Sequence, residues 1–190
     1  FKSLSDITYK ERCLRNKHKA KTYWMTGLSG SGKSTLSKEV EKRIFAEGMQ
    51  VYRLDGDNVR LGLNSNLDFT AQSRKENIRR VAEVAKLMND AGLVVITSFI
   101  SPFEDDRKMA KEIIGEEGFF EVFVNTSLET CEQRDTKGLY KKARAKEIPN
   151  FTGISSPYEA PVDADLHIST DELSVDDAVS QIVEHILKSC

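Results

Sequence analysis

Cysteine and histidine are both scarce in this chain of 190 residues, and each scarcity closes off a class of protein. The three cysteines (Cys13, Cys131 and Cys190) are odd in number and widely spaced. That excludes a disulfide framework and a zinc-ligand pattern, and it points to a reducing compartment, expected to be the cytoplasm. The three histidines, His18, His167 and His185, stand alone, so no protein-built metal cluster is expected. No apolar run approaches the ~20 residues of a membrane span, so no membrane partner is expected. No signal-peptide pattern opens the sequence; the first residue is Phe1 rather than Met, which leaves an N-terminal extension open. A net charge of −2 argues against a general nucleic-acid binder. The charge is nonetheless uneven. Residues 1–23 hold seven Lys/Arg against Asp6 and Glu11, and residues 155–190 hold eight acids against Lys188. Both ends read most simply as solvated surface.

What the chain does carry is Gly27-Leu28-Ser29-Gly30-Ser31-Gly32-Lys33-Ser34, which fits the phosphate-loop pattern G-x-x-x-x-G-K-[ST] at every fixed position. A strand-like run, Thr22–Thr26, precedes it and a helix-like run opening at Lys33 follows, the context that the motif requires. The glycines let the backbone turn sharply, so that successive N–H groups converge on one phosphate. The helix N-terminus adds partial positive charge. The residues of such a loop, here Gly30, Ser31, Gly32, Lys33, Ser34 and Thr35, hold a nucleoside triphosphate. Lys33 reaches its β- and γ-phosphates, and the Ser34 hydroxyl binds Mg²⁺. An ordinary glycine-rich turn would leave the Lys-Ser pair unexplained.

Short apolar runs alternate with helical patterns along the rest of the chain. Strands are expected at 22–26, 51–54, 93–99, 119–124 and 166–169. Helices are expected at 33–47, ending at Gly48, at 70–91, ending at Gly92, and from Val175 onward, with Ser174 as N-cap. The expectation is an α/β chain with the P-loop NTPase fold. Its five-stranded, mainly parallel sheet carries helices on both faces and a basic lid. Residues 1–22 read as a basic N-terminal segment and 23–190 as the P-loop domain. Residues 134–161 break the alternation. From Arg134 to Lys146 there are six Lys/Arg and a single acid, Asp135. A basic, loop-rich insertion late in a phosphate-binding domain reads as a lid that closes over anionic ligands.

Three classes of phosphate-loop protein compete: a switch GTPase, an ATP-driven machine and a small-molecule kinase. A GTPase needs an Asn-Lys-x-Asp motif late in the chain, and the sole Asn-Lys pair, Asn16-Lys17, precedes the loop and lacks the Asp. A motor or transporter ATPase needs an apolar strand ending in an acid, and here the most apolar run ends Ile96-Thr97-Ser98-Phe99. The carboxylate that Mg²⁺ and a nucleophilic hydroxyl require must come from elsewhere. Asp55-Gly56-Asp57-Asn58-Val59-Arg60, after the second strand, is the best source, because strand C-termini face the ligand crevice in open α/β sheets. Asp55 and Asp57, with Ser34, are the candidate metal-side residues.

With those residues in view, the chain resembles the adenylyl-sulfate kinase family from about Tyr23 to Thr170. The resemblance rests on Gly-Leu-Ser-Gly-Ser-Gly-Lys-Ser-Thr, Leu-Asp-Gly-Asp-Asn-Val-Arg, Glu-Asn-Ile-Arg-Arg-Val, Ser-Phe-Ile-Ser-Pro, Lys-Gly-Leu-Tyr-Lys-Lys-Ala-Arg and Phe-Thr-Gly-Ile, in that order. It implies phosphorylation of the 3′-hydroxyl of adenylyl sulfate (APS) by ATP to give 3′-phosphoadenylyl sulfate (PAPS). It also implies a homodimer and, in some relatives, fusion to ATP sulfurylase. The matching residues imply roles. Asp57 lies near the ribose 3′-hydroxyl and Mg²⁺. Asn58, Arg60, Arg74 and Asn77 hold the sulfate-phosphate end and the adenine. Phe69 and Phe151 sandwich the base, and Phe151, in a polar lid, does not read as core. Ile100 and Ser101 contact substrate after the third strand, and Ser101 matches the position of a proposed phosphoserine. In-line transfer needs no such covalent step, and an N-cap before Pro102 is the plain alternative for Ser101. Lys137 meets substrate from the lid, and Arg134 lies on the ATP side. Asn150, which meets substrate through its backbone, and Asp68 stand where many relatives have Gly. A kinase for another hydroxyl compound, such as a sugar acid, and a nucleotide-sensing domain without turnover are the alternatives.

Overall fold

The apolar runs form one all-parallel sheet in the computed structural model, which describes residues 5–190. Strands β1 (Thr22–Thr26), β2 (Val51–Asp55), β3 (Val94–Ser98), β4 (Phe119–Asn125) and β5 (Leu166–Ser169) lie in the order β2-β3-β1-β4-β5. Thr22 of β1 pairs with Val95 on one side and Phe119 on the other. Every residue of β1 and β3 is buried, as expected of parallel strands covered on both faces.

Period-two alternation splits these strands between two cores. Tyr23, Met25, Val94 and Ile96 face helices α2 (Lys33–Ala46) and α8 (Val175–Ser189). Trp24 and Val95 face α4 (Ala71–Asp90) and α5 (Glu104–Ile114). Trp24 is stacked between Phe99 and Phe119, with ring centroids 6.0 and 5.8 Å away. Ser174 caps α8 by accepting from the Asp177 N–H, as the sequence implied.

The remaining elements are short. They are α1 (Tyr9–Asn16), α3 (Gly56–Leu61), α6 (Leu128–Arg134), α7 (Leu139–Arg144) and a 3₁₀ turn at Glu116–Gly118. The basic N-terminal segment is therefore partly helical; its first four residues lie outside the described residues. A capping box at Thr8 and Glu11 starts α1, and Asn16 Nδ2 ties its end to the Gly92 carbonyl at 3.0 Å. Residues 134–161, read above as a lid, are more ordered than a loop. They contain α7 and a small core of their own in which Tyr140, Ala143 and Phe151 pack with Cys131. Two expectations are corrected here. Phe151 is a core residue of the lid, its ring 5.0 Å from that of Tyr140, because the lid buries its own apolar side chains. The N-cap of α5 is Phe103, not Ser101, and the free Glu104 N–H is met by the Glu159 carboxylate at 2.7 Å.

Candidate active site

All five strands deliver their C-terminal ends to one side of the sheet, and the predicted site residues gather there. The phosphate loop follows β1. Gly27 has φ +153°, and a Cβ on it would lie 2.5 Å from the Val124 carbonyl oxygen; Gly32, at φ +101°, opens α2. Gly27→Ala should therefore lose about 1–3 kcal/mol of stability through overpacking and weaken ATP binding as the loop shifts. Urea unfolding and calorimetric titration of ATP check both.

Lys33 Nζ donates to the Gly27 and Leu28 carbonyls at 2.9 and 2.6 Å and to Ser31 Oγ at 3.3 Å. Burial lowers its pKa from 10.5 to about 8. Between those values the unfolded chain binds more protons than the folded one, so Lys33 makes stability rise with pH through that window. The stability of the wild type relative to Lys33→Met should climb from pH 8 to 10 by at most ~1.4 kcal/mol per pH unit. Denaturant midpoints at successive pH values test this, and a flat difference would refute it.

Ser34 Oγ donates to Asp55 Oδ2 at 2.8 Å, joining the loop to the end of β2. Asp55 also accepts from Arg53 Nη1 at 3.0 Å and caps α3 through the Asp57 N–H at 3.1 Å. A hydroxyl and a carboxylate side by side are the hard oxygen donors that Mg²⁺ takes, with water and phosphate completing its shell. Among the described residues no cluster of three His, Cys, Asp or Glu side chains offers a different metal site. The Asp57 carboxylate stands apart from that pair. It is exposed and forms an ion pair with Lys137 of the lid.

Arg74 links the segments that carry the two aromatic residues. Its Nε donates to the Phe69 carbonyl at 3.0 Å, Nη1 to Thr152 Oγ1 at 2.9 Å and Nη2 to the Asn150 carbonyl at 2.6 Å. Arg60 lies over the Phe69 ring at 4.4 Å. Phe69 is 63% exposed, unlike Phe151. Burial lowers the pKa of both arginines, and for Arg74 the neighbouring Arg60 charge lowers it further. Neither is ion-paired among the described residues, and two guanidinium groups so placed favour an anion. Asn150 adopts φ +55°, a left-handed conformation that Asn tolerates, which explains why it stands in for Gly. Asp68 replaces Gly by accepting from the Thr70 N–H and hydroxyl at 3.0 and 2.7 Å. A bond from the Ser73 side chain, helped by those from Thr70, holds its carboxyl down to about 2.

Ser101 is 2% exposed and at φ +39°. Its hydroxyl accepts from the Trp24 indole at 3.1 Å, so the side chain points to the core while the backbone forms the turn. The Ile100 carbonyl accepts from the Thr26 hydroxyl at 2.8 Å. Ser34, Thr35 and Asn58 are exposed on the same side of the sheet. Arg134 donates to Thr170, and both Thr126 and Thr170 donate their hydroxyls to the Ser31 carbonyl at 3.1 Å. Sequence reasoning missed Thr126, Thr170, Arg53 and Tyr140, whose hydroxyl reaches the Ser29 carbonyl at 2.8 Å.

Residues 19–169 match the family model described as adenylylsulphate kinase. The chain belongs to that family. The adenylyl-sulfate kinase of Staphylococcus carnosus is 53% identical over 182 residues, 96% of this chain and 92% of that protein. The bifunctional enzyme NodQ of Rhizobium tropici is 58% identical over 165 residues, 87% of this chain but 26% of that protein. An APS kinase from Mycobacterium tuberculosis, solved with AMPPNP and APS, superposes with a TM-score of 0.85. It is 45% identical, and the match covers 90% of this chain and 98% of that one. These matches fix the family and the P-loop kinase fold with its parallel sheet. No described helix is long and apolar enough to cross a membrane.

Proposed function

We propose that this chain transfers the γ-phosphoryl group of ATP to the 3′-hydroxyl of adenylyl sulfate, giving ADP and PAPS. The observation that carries the reading is the meeting of Lys137 with Asp57, in the first turn of α3 and two residues after the Asp55 that bonds Ser34 of the phosphate loop. The 3′-oxygen attacks the γ-phosphorus in line, the bond from that phosphorus to the β–γ bridging oxygen breaks, and its electron pair leaves with ADP. Asp57 accepts the hydroxyl proton. Lys33 and the loop N–H groups stabilise charge on the β- and γ-phosphates. Ser34 and Asp55 would hold Mg²⁺, which supplies further charge neutralisation when bound. Arg60, Arg74 and Asn77 hold substrate, Phe69 lies against its base, and Lys137 passes from Asp57 to the substrate anion as the lid excludes water. Arg134 stands on the ATP side.

A coupled ADP-release assay tests the reading with three acceptors. Adenylyl sulfate should be turned over, and adenosine 5′-phosphate and gluconate should fail. Turnover of gluconate would favour a sugar-acid kinase, and ATP binding with no turnover of any acceptor would favour a sensor domain. We further read the enzyme as a cytoplasmic homodimer; light scattering on eluted protein tests the stoichiometry.

A further inference from the structure

Asn64 is completely buried, yet its side chain is only half satisfied. Its Nδ2 donates to Asn77 Oδ1 at 2.8 Å, while its own Oδ1 has no partner. An orphaned buried acceptor costs about 1–3 kcal/mol, so an apolar residue would serve the packing better. The loop between α3 and α4 does not need the amide as an anchor. Arg80 already holds it through the Leu63 carbonyl at 3.1 Å and Asn66 Oδ1 at 2.8 Å. Backbone bonds from the Asn64 N–H to Val59 and from the Leu67 N–H to Asn64 close its turns. What the pair does fix is the orientation of Asn77. With Oδ1 engaged, the Asn77 Nδ2 group forms no hydrogen bond among the described residues, and unlike Asn64 Oδ1 it is not sealed from solvent. Asn77 lies one helical turn after Arg74 on α4, so both face one stretch of the site.

We propose that Asn64 is a positioning residue: by donating to the Asn77 side-chain carbonyl it leaves Asn77 able to meet adenylyl sulfate only as a hydrogen-bond donor. The substrate atom at this position must then be an acceptor, a ring nitrogen of the base or a phosphosulfate oxygen. A freely rotating amide would accept a donor there equally well. Fixing the rotor lowers the entropy lost on binding and rejects ligands that present a hydrogen at that point. The inference rests on the assignment of Asn77 to substrate in the proposed function.

The test is a double-mutant cycle in the full chain, reading KM for adenylyl sulfate, KM for ATP, kcat and the unfolding midpoint. Asn77→Ala should raise KM for adenylyl sulfate about tenfold, the worth of one hydrogen bond to a charged or polar partner. Asn64→Ala should raise it severalfold, with KM for ATP unchanged, and the double variant should be no worse than Asn77→Ala. Asn64→Leu keeps the size and offers neither donor nor acceptor, so it frees the Asn77 amide to turn and should raise KM about as much as Asn64→Ala. That variant keeps the test alive where Asn64→Ala fails to fold. If Asn77→Ala raises KM while both Asn64 variants leave it unchanged, or if the two losses add, the positioning role is overturned and the substrate site stands. If Asn77→Ala leaves KM unchanged, the assignment of Asn77 to substrate falls as well.

Discussion

Asp57→Ala should abolish turnover, with kcat lowered by about 10²–10⁴, while ATP affinity stays within about threefold. The separation follows from the geometry. The carboxylate reaches Lys137 but none of the phosphate-loop side chains, whereas Asp55 is the acid bonded to Ser34. Only the backbone N–H of Asp57 takes part in capping α3, and alanine keeps it. The Asp57–Lys137 pair is exposed on both sides, so its loss should change stability by less than ~1 kcal/mol. Asn at this position has the same shape and cannot accept the proton, so Asp57→Asn should lose nearly as much rate as Asp57→Ala. Steady-state ADP release and titration of ATP separate the two effects. Near-normal turnover in either variant would sink the assignment of Asp57 as the group that takes the proton.

Arg107→Ala should be strongly destabilising, by about 3–5 kcal/mol. Arg107 is 4% exposed. Its Nε meets Glu121 at 2.8 Å, Nη1 the Ser101 carbonyl at 2.9 Å and Nη2 the Glu159 carbonyl at 2.8 Å. Removing it leaves a part-buried Glu121, whose carboxyl burial already pushes up, and strips two carbonyls of their donor. In a domain of this size the loss should lower the unfolding temperature by roughly 10 °C. Arg107→Lys should recover only part, because a single ammonium cannot serve three acceptors at fixed angles. Arg107→Met with Glu121→Gln should recover more than Arg107→Ala alone, since no charge is then stranded. Denaturant unfolding of the three variants decides, and equal loss in all three would exclude the stranded charge as the cause. The Ser101 turn also depends on this guanidinium, so KM for adenylyl sulfate should rise in the variants that fold.

The parts of the site that were legible in the sequence are those whose signal is local. Gly27 to Ser34 is contiguous, and Asp55 and Asp57 follow a strand whose end must face the crevice. The strands and the long helices α2, α4 and α8 were legible from their periodicity and caps. What was missed is carried by residues brought together from far apart. Thr126 and Thr170 meet the Ser31 carbonyl across separations of 95 and 139 residues, and neither sits in a pattern that marks it. Arg107 reads as one more charge in the acidic, basic run Glu104–Lys108, and only the tertiary fold turns it inward. Phe151 read as a free aromatic in a polar lid because the small core it shares with Cys131 and Tyr140 exists only once α6 and α7 are in place. Short helices such as α3 and α7 offer too few turns for a period to register.

The Lys19 N–H donates to the Cys190 carbonyl at 2.9 Å, and Tyr23, at the start of β1, meets Ser189 at 2.6 Å. The two ends of the kinase fold thus touch at the edge of the sheet where the strands begin, opposite the edge that holds the nucleotide loop. A peptide joint between them would cross almost no distance. A chain that links residue 190 to residue 19, leaves out α1 and reopens at a surface turn such as the one at Gly115 should keep the five-stranded sheet. A neighbour tethered after residue 190 would start at the end of the sheet opposite the phosphate loop.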